Sequence, residues 1–192
     1  MTREDVYALI PEHEFLEDAA LKEKCADVWI DALEQTDWHR SGTLALCPIA
    51  LKNLSHDCPE NIISHTRIVT RLCKAMYEHM SDYFAKIGPC HREYLIAGAI
   101  VHDAGKLLEY SLDKTGEVGF SPTGRLFRHP CSGAYLAKVH GLPDEVVFMV
   151  LSHSNGLSPE GAKAPNIPES VILKHVDMMV FDYAKVFFPP LM

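Results

Sequence analysis

The sequence predicts an all-α protein, helices packed on helices. Three observations carry that expectation. Ile62, Thr66, Val69, Cys73, Met76, Met80 and Phe84 recur at helical spacing. The run 91–104 is almost wholly apolar, as a helix buried on all sides would be. Pro and Gly fall where helices begin and end rather than inside the periodic stretches.

Taken in chain order, residues 12–36 are rich in Glu, Asp, Ala and Leu and read as one helix. Leu16, Ala20, Cys25, Val28 and Leu33 form its apolar stripe. A turn-rich stretch with Gly42 and Pro48 runs to Pro59, which opens the periodic helix that Gly88-Pro89 ends. The apolar helix 91–104 comes next, then a short helix to about Tyr110. Residues 113–127 hold three Gly, one Pro and alternating Val and Phe, which fits a loop or a small hairpin. Pro130 opens a helix that ends at Gly141, and Pro143 opens another that ends near Asn155-Gly156. A loop with Pro159, Pro165 and Pro168 leads into a last long helix, 169–186.

No repeat, low-complexity run or linker divides the 192 residues, and a 47% hydrophobic composition is enough for one domain with a core. Eighteen Lys and Arg against 26 Asp and Glu give a net charge of −8, which disfavours long nucleic acid and anionic membrane surfaces as partners. The longest apolar stretch, 94–101, falls far short of the roughly 20 residues of a membrane span. The first residues show no apolar core followed by a cleavage site, so secretion is not expected. Six scattered cysteines without a CxxC pair read as free thiols of a reducing cytoplasm.

Eleven histidines are the unusual count. His102-Asp103 closes the apolar helix, where an unsatisfied imidazole and carboxylate would cost several kcal/mol. A transition metal would satisfy both, because neutral imidazole nitrogen and carboxylate oxygen suit Mn, Fe, Co, Ni or Zn. A buried, hydrogen-bonded His–Asp pair is the alternative. His65, His153 and Asp177 lie on the inward stripes of their helices, and His129 stands at the mouth of one, before Pro130. The gaps between these positions are 37, 26, 24 and 24 residues, so each successive helix can bring one ligand to a common centre.

His65, His102-Asp103 within HDAGK, and Asp177 together resemble the HD-domain superfamily of metal-dependent phosphohydrolases. The likeness covers about 59–186, with 1–58 as a helical extension of a single domain. His129 and His153 resemble the subset that binds two metals. GRLFRH (124–129), SHSNG (152–156) and HVDMMVFDYAK (175–185) look most like the catalytic domain of HD-type 3′–5′ exoribonucleases. Those enzymes carry an added β-rich nucleic-acid module, and this chain has no comparable segment. A small nucleotide-like phosphoester is therefore the expected substrate.

The resemblance implies two divalent transition-metal ions. His65, His102, Asp103 and Asp177 would hold one, and His129 and His153 the other, with Asp103 bridging. A shared water would then be available as hydroxide near neutral pH. Lys106 would balance charge on a phosphate oxygen, or else be a solvated lysine at a helix end. Arg125 and Arg128 could clamp a phosphate. His13, His39, His79, His91 and His140 fit exposed positions, Asp57 would cap the following helix, and His175 and Asp182 fall off the ligand-bearing face. Two other classes remain open: an HD-type di-iron oxygenase, and a regulatory module that binds a nucleotide without cleaving it.

Overall fold

A computed structural model describes residues 1–55, 57–154 and 167–190. Nine α-helices and one small hairpin are found among them: α1 (Arg3–Leu9), α2 (Ala19–Glu34), α3 (Ile62–His79), α4 (Ser81–Ile87), α5 (Arg92–Val101), α6 (Lys106–Glu109), β1 (Tyr110–Leu112), β2 (Val118–Phe120), α7 (His129–Val139), α8 (Asp144–Ser152) and α9 (Pro168–Phe187). Short 3₁₀ turns occupy Pro11–Phe15 and Leu44–Leu46. The fold is all-α, as the periodicity predicts.

The expected helix over 12–36 is in fact two pieces. Pro11 lacks the N–H that would continue α1, so the chain makes a 3₁₀ turn and restarts where the Asp18 carboxylate accepts the Leu21 N–H at 3.0 Å. Its inner face carries Leu21 instead of Ala20, which is exposed. The expected helix from Pro59 also divides. It begins at Ile62, where Asn61 accepts the Ile63 and Ser64 N–H groups, so Asn61 rather than Asp57 is the cap. It breaks at Met80 (φ −101°, ψ 8°) into α3 and α4, a break with no proline or glycine to announce it. α8 ends at Ser152, a turn short of the end predicted near Asn155-Gly156, and the loop with Pro159 and Pro165 lies outside the described residues.

The α5 helix runs through the middle, buried from Leu95 to Val101. Ile96, Ala97, Ile100 and Val101 pack with α1, α2, α7 and α8 in one apolar cluster, which includes Val6, Trp29, Leu136 and Val146. Leu95 and Ala99 pack with Val69, Cys73, Met149 and Leu173 in the other. Residues of the N-terminal extension thus share an apolar cluster with residues of the 59–186 region.

Two indoles fasten that extension to α5 and α6. Trp29 Nε1 donates to the Ile100 carbonyl (2.9 Å) and Trp38 Nε1 to the Leu107 carbonyl (3.0 Å). Between those carbonyls the chain leaves the helix. Ala104 N donates to Val101 O (3.2 Å) and Lys106 N to Asp103 O (2.9 Å), three-residue steps in place of four. His102 and Asp103 therefore sit on a tight turn past the last helical residue, not on the extended helix 91–104 that the apolar run predicts.

The segment expected as a loop or hairpin contains both. Strands β1 and β2 pair antiparallel with Tyr110 opposite Phe120 and Leu112 opposite Val118, and 121–128 is loop.

Candidate metal centre

Six side chains converge beneath the turn after α5. His65 comes from the first turn of α3, His102 and Asp103 from the turn, His129 from the first position of α7, His153 from the C-cap of α8 and Asp177 from the middle of α9. All are buried, from 0% exposed for His102 and Asp103 to 8% for Asp177. Potential ligand atoms form two groups, each within 4.8 Å: His65, His102, Asp103 and Asp177, and Asp103, His129 and His153.

Asp103 belongs to both groups and divides its oxygens between them. Oδ2 lies 3.5 Å from His65 Nε2 and 3.4 Å from His102 Nε2. Oδ1 lies 3.4 Å from His129 Nε2 and 3.4 Å from His153 Nε2.

Proton bookkeeping on the imidazoles explains why this arrangement fits a cation. His102 Nδ1 donates to the Ala99 carbonyl (2.7 Å), and His153 Nδ1 to the Val150 carbonyl (2.7 Å). Each neutral ring therefore presents a bare Nε2 lone pair. Those lone pairs face a carboxylate oxygen, and the Nε2 atoms of His129 and His153 stand 3.3 Å apart. His102 Nε2 and Asp103 Oδ1 are buried without a hydrogen-bond partner. Lone pairs gathered in this way repel unless a cation or protons stand between them, and nitrogen and oxygen donors in these numbers suit a divalent transition metal. His102 Nε2 stands 3.4 Å from Asp103 Oδ2.

Electrostatics follow from burial and neighbours. Burial pushes the Asp103 carboxyl up, but the Lys106 ammonium overcomes it and holds the carboxyl well below the usual range. Burial likewise opposes ionisation of Asp177, which the His65 hydrogen bond (2.9 Å) favours more strongly. Burial pushes His129 down to about 4.

Lys106 is only 7% exposed, and its Nζ lies 2.6 Å from Asp103 Oδ2. It is no solvated helix-end lysine. Gly105 explains how the turn comes so close to α7: a Cβ there would stand 2.2 Å from the His129 carbonyl oxygen and 2.6 Å from Gly133 N. Only a residue without a side chain lets the two backbones meet.

Above these residues opens a cleft of about 420 Å³. Lys52, Lys106 and Arg128 line it together with Tyr110, Phe120 and Phe181. Arg128 is engaged, since its Nε donates to Glu109 Oε1. Arg125 is exposed in the 121–128 loop and does not line the cleft. His175 and Asp182 are exposed, in keeping with their position off the ligand face. His13 departs from expectation: it is fully buried, its Nδ1 donating to the Ile10 carbonyl at 2.8 Å. Arg67 and Arg71 pair with the buried Glu12.

Sequence reasoning missed Glu109. Its carboxylate is fully buried and accepts from the His129 backbone N–H (2.9 Å) and from His129 Nδ1 (2.6 Å). The available signal was an acid placed between Leu108 and Tyr110 in an otherwise buried stretch.

The HD domain family profile matches residues 62–180, more than half of the chain and all six convergent residues. The chain belongs to the HD-domain family. HD domains bind divalent metals, and the two His/Asp groups could hold them. Among curated proteins it is similar to a dihydroneopterin 2′,3′-cyclic phosphate phosphodiesterase of Methanocaldococcus jannaschii, 29% identical over 125 residues. That alignment covers 65% of this HD chain and 48% of the relative, so the chain matches about half the relative's length. No solved structure matches. The narrower likeness to exoribonucleases rests on sequence motifs alone. None of the described helices is long and apolar enough to cross a membrane.

Proposed function

We propose that this HD protein hydrolyses a small, nucleotide-like phosphoester, as a phosphodiesterase or phosphatase that uses two divalent metal ions. The observation that carries the reading is the division of Asp103 between the two ligand groups, one oxygen toward each. A carboxylate can bridge two ions in this way and an imidazole cannot. His65, His102, Asp103 and Asp177 would hold one ion, and Asp103, His129 and His153 the other. When bound, the pair would supply Lewis acidity toward phosphoryl oxygens and lower the pKa of water toward neutral.

The chain's own groups complete the task. Lys106, fixed by Asp103, offers an ammonium at the cleft for a non-bridging phosphate oxygen. The buried imidazoles and carboxylates keep their orientation because neighbouring backbone and side chains hold them. Tyr110, Phe120 and Phe181 give the cleft apolar walls suited to a flat ring. A volume of about 420 Å³ is of the size that takes a small ligand. The relative's printed substrate, a cyclic phosphate on a pterin, has this composition, a ring joined to a strained phosphodiester. The net charge of −8 also supports a small substrate over a polynucleotide.

The test is a screen of 2′,3′-cyclic nucleotides, a pterin cyclic phosphate and simple phosphomonoesters with Mn²⁺, Fe²⁺, Co²⁺, Ni²⁺ or Zn²⁺ added, run with and without oxygen. Anaerobic cleavage of a phosphoester is expected. Turnover of substrate only in the presence of oxygen would overturn the reading in favour of a di-iron oxygenase. Stable binding of nucleotide with no turnover under any metal would favour a regulatory module.

A further inference from the structure

Three of the four histidines of the centre are oriented through Nδ1 by two different means, and the difference follows from where each sits on its helix. His102 and His153 cap the C-terminal ends of α5 and α8, where the last carbonyls have no partner in their own helix. Each ring takes the carbonyl three residues back, Ala99 or Val150, as acceptor for Nδ1–H. His129 is the first residue of α7. A helix N-terminus offers unpartnered N–H groups and no free carbonyl, so the device used by the other two is closed to it.

Glu109 supplies what is missing. Its Oε2 accepts from both the His129 Nδ1 (2.6 Å) and the His129 main-chain N–H (2.9 Å). Arg128 Nε holds the other oxygen. The carboxylate is fully buried at the end of α6, whose backbone is brought against the next loop by Gly124: a Cβ at 124 would lie 2.0 Å from the Glu109 carbonyl oxygen. Its negative charge also faces the positive end of the α7 dipole.

We infer that Glu109 is a positioning residue for the second ion: it fixes His129 as the Nδ1–H tautomer, aims Nε2 at His153 and Asp103 Oδ1, and makes the ring a stronger donor. His102 and His153, bonded to neutral carbonyls, lack that last effect. The inference rests on the two-ion reading for its consequence, but the tautomer is a property of the protein without metal.

The experiment therefore has two readouts. In metal-free protein, imidazole ¹⁵N chemical shifts of His129, assigned by comparison with His129→Ala, report the tautomer. Calorimetric titration with Mn²⁺ reports the two equivalents separately. The native chain is expected to show the Nδ1–H form at His129 and to bind two equivalents. Glu109→Gln keeps an acceptor without the charge: the tautomer should persist while the second equivalent binds ~10–100-fold more weakly. Glu109→Ala should lose the tautomer preference and the second equivalent while retaining the first, held by His65, His102, Asp103 and Asp177.

An unchanged tautomer and an unchanged second equivalent in Glu109→Ala would overturn the inference. So would equal weakening of both equivalents in a folded variant, which would make Glu109 a general stabiliser. Should Glu109→Ala fail to fold, a second equivalent as tight as native in Glu109→Gln overturns it instead. A native chain that binds fewer than two equivalents removes the two-ion reading, and the tautomer still decides whether Glu109 orients His129.

Discussion

Lys106 Nζ lies 2.6 Å from Oδ2 of Asp103, and both side chains are buried. The pair puts a fixed positive charge beside the cleft without requiring the lysine to cross solvent. Replacing Lys106 with Ala should lower turnover of a cleaved phosphoester by ~10²-fold. Bound metal, measured by elemental analysis, should stay near the native level. A variant as active as the native chain would remove Lys106 from the mechanism.

Because Asp103 faces both ligand groups, its loss should differ in kind from loss of a ligand that faces one. Asp103→Ala is expected to release metal from both positions. His153→Ala should release the ion shared with His129 and retain the other. Metal-to-protein ratios after gel filtration distinguish the two outcomes; equal losses would contradict the assignment of separate positions.

Gly105 has an ordinary helical φ of −62°, so its requirement is one of space. A methyl at 105 must push the turn away from the His129 carbonyl, 2.2 Å from where it would stand. Gly105→Ala is expected to cost about 2 kcal/mol or more in urea unfolding and to weaken metal binding at His129. Gly98→Ala is a useful contrast, because its new Cβ would meet the movable end of Met149. It should cost less and leave metal binding intact.

Burial pushes His13 from 6.5 down to about 4. The unfolded chain takes up this proton as pH falls through 6.5, whereas the folded chain resists until about 4, so stability must drop across that window and level off below it. The contribution is roughly 3 kcal/mol. Urea unfolding of metal-free protein at pH 7 and pH 4 checks it. His13→Gln should flatten the dependence by that amount, and an equally steep profile in the variant would refute it.

The six convergent residues were legible because each places an imidazole or a carboxylate on an apolar stripe, or beside a helix-opening proline, at intervals of about one helix and its connection. Packing does the rest, and the order of elements follows from Pro and Gly. What stayed hidden depends on contacts between distant segments. Nothing local marks Met80 as a break, and α1 is too short to show a period. Arg128 reads as a free phosphate clamp until Glu109 is seen beneath it, and Glu109 reads as one more acid until α6 is folded against α7. His13 looked solvent-facing because its burial is created by the 3₁₀ turn that Pro11 imposes.

The chain has two tryptophans, and both indoles end on carbonyls that bracket the turn carrying His102 and Asp103. Their emission is thus a built-in optical gauge of that turn. Titrating a quenching ion such as Co²⁺ should dim it stepwise as ions arrive, and Trp38→Phe should leave the Trp29 share of the signal, so that filling of the centre can be followed without any attached dye.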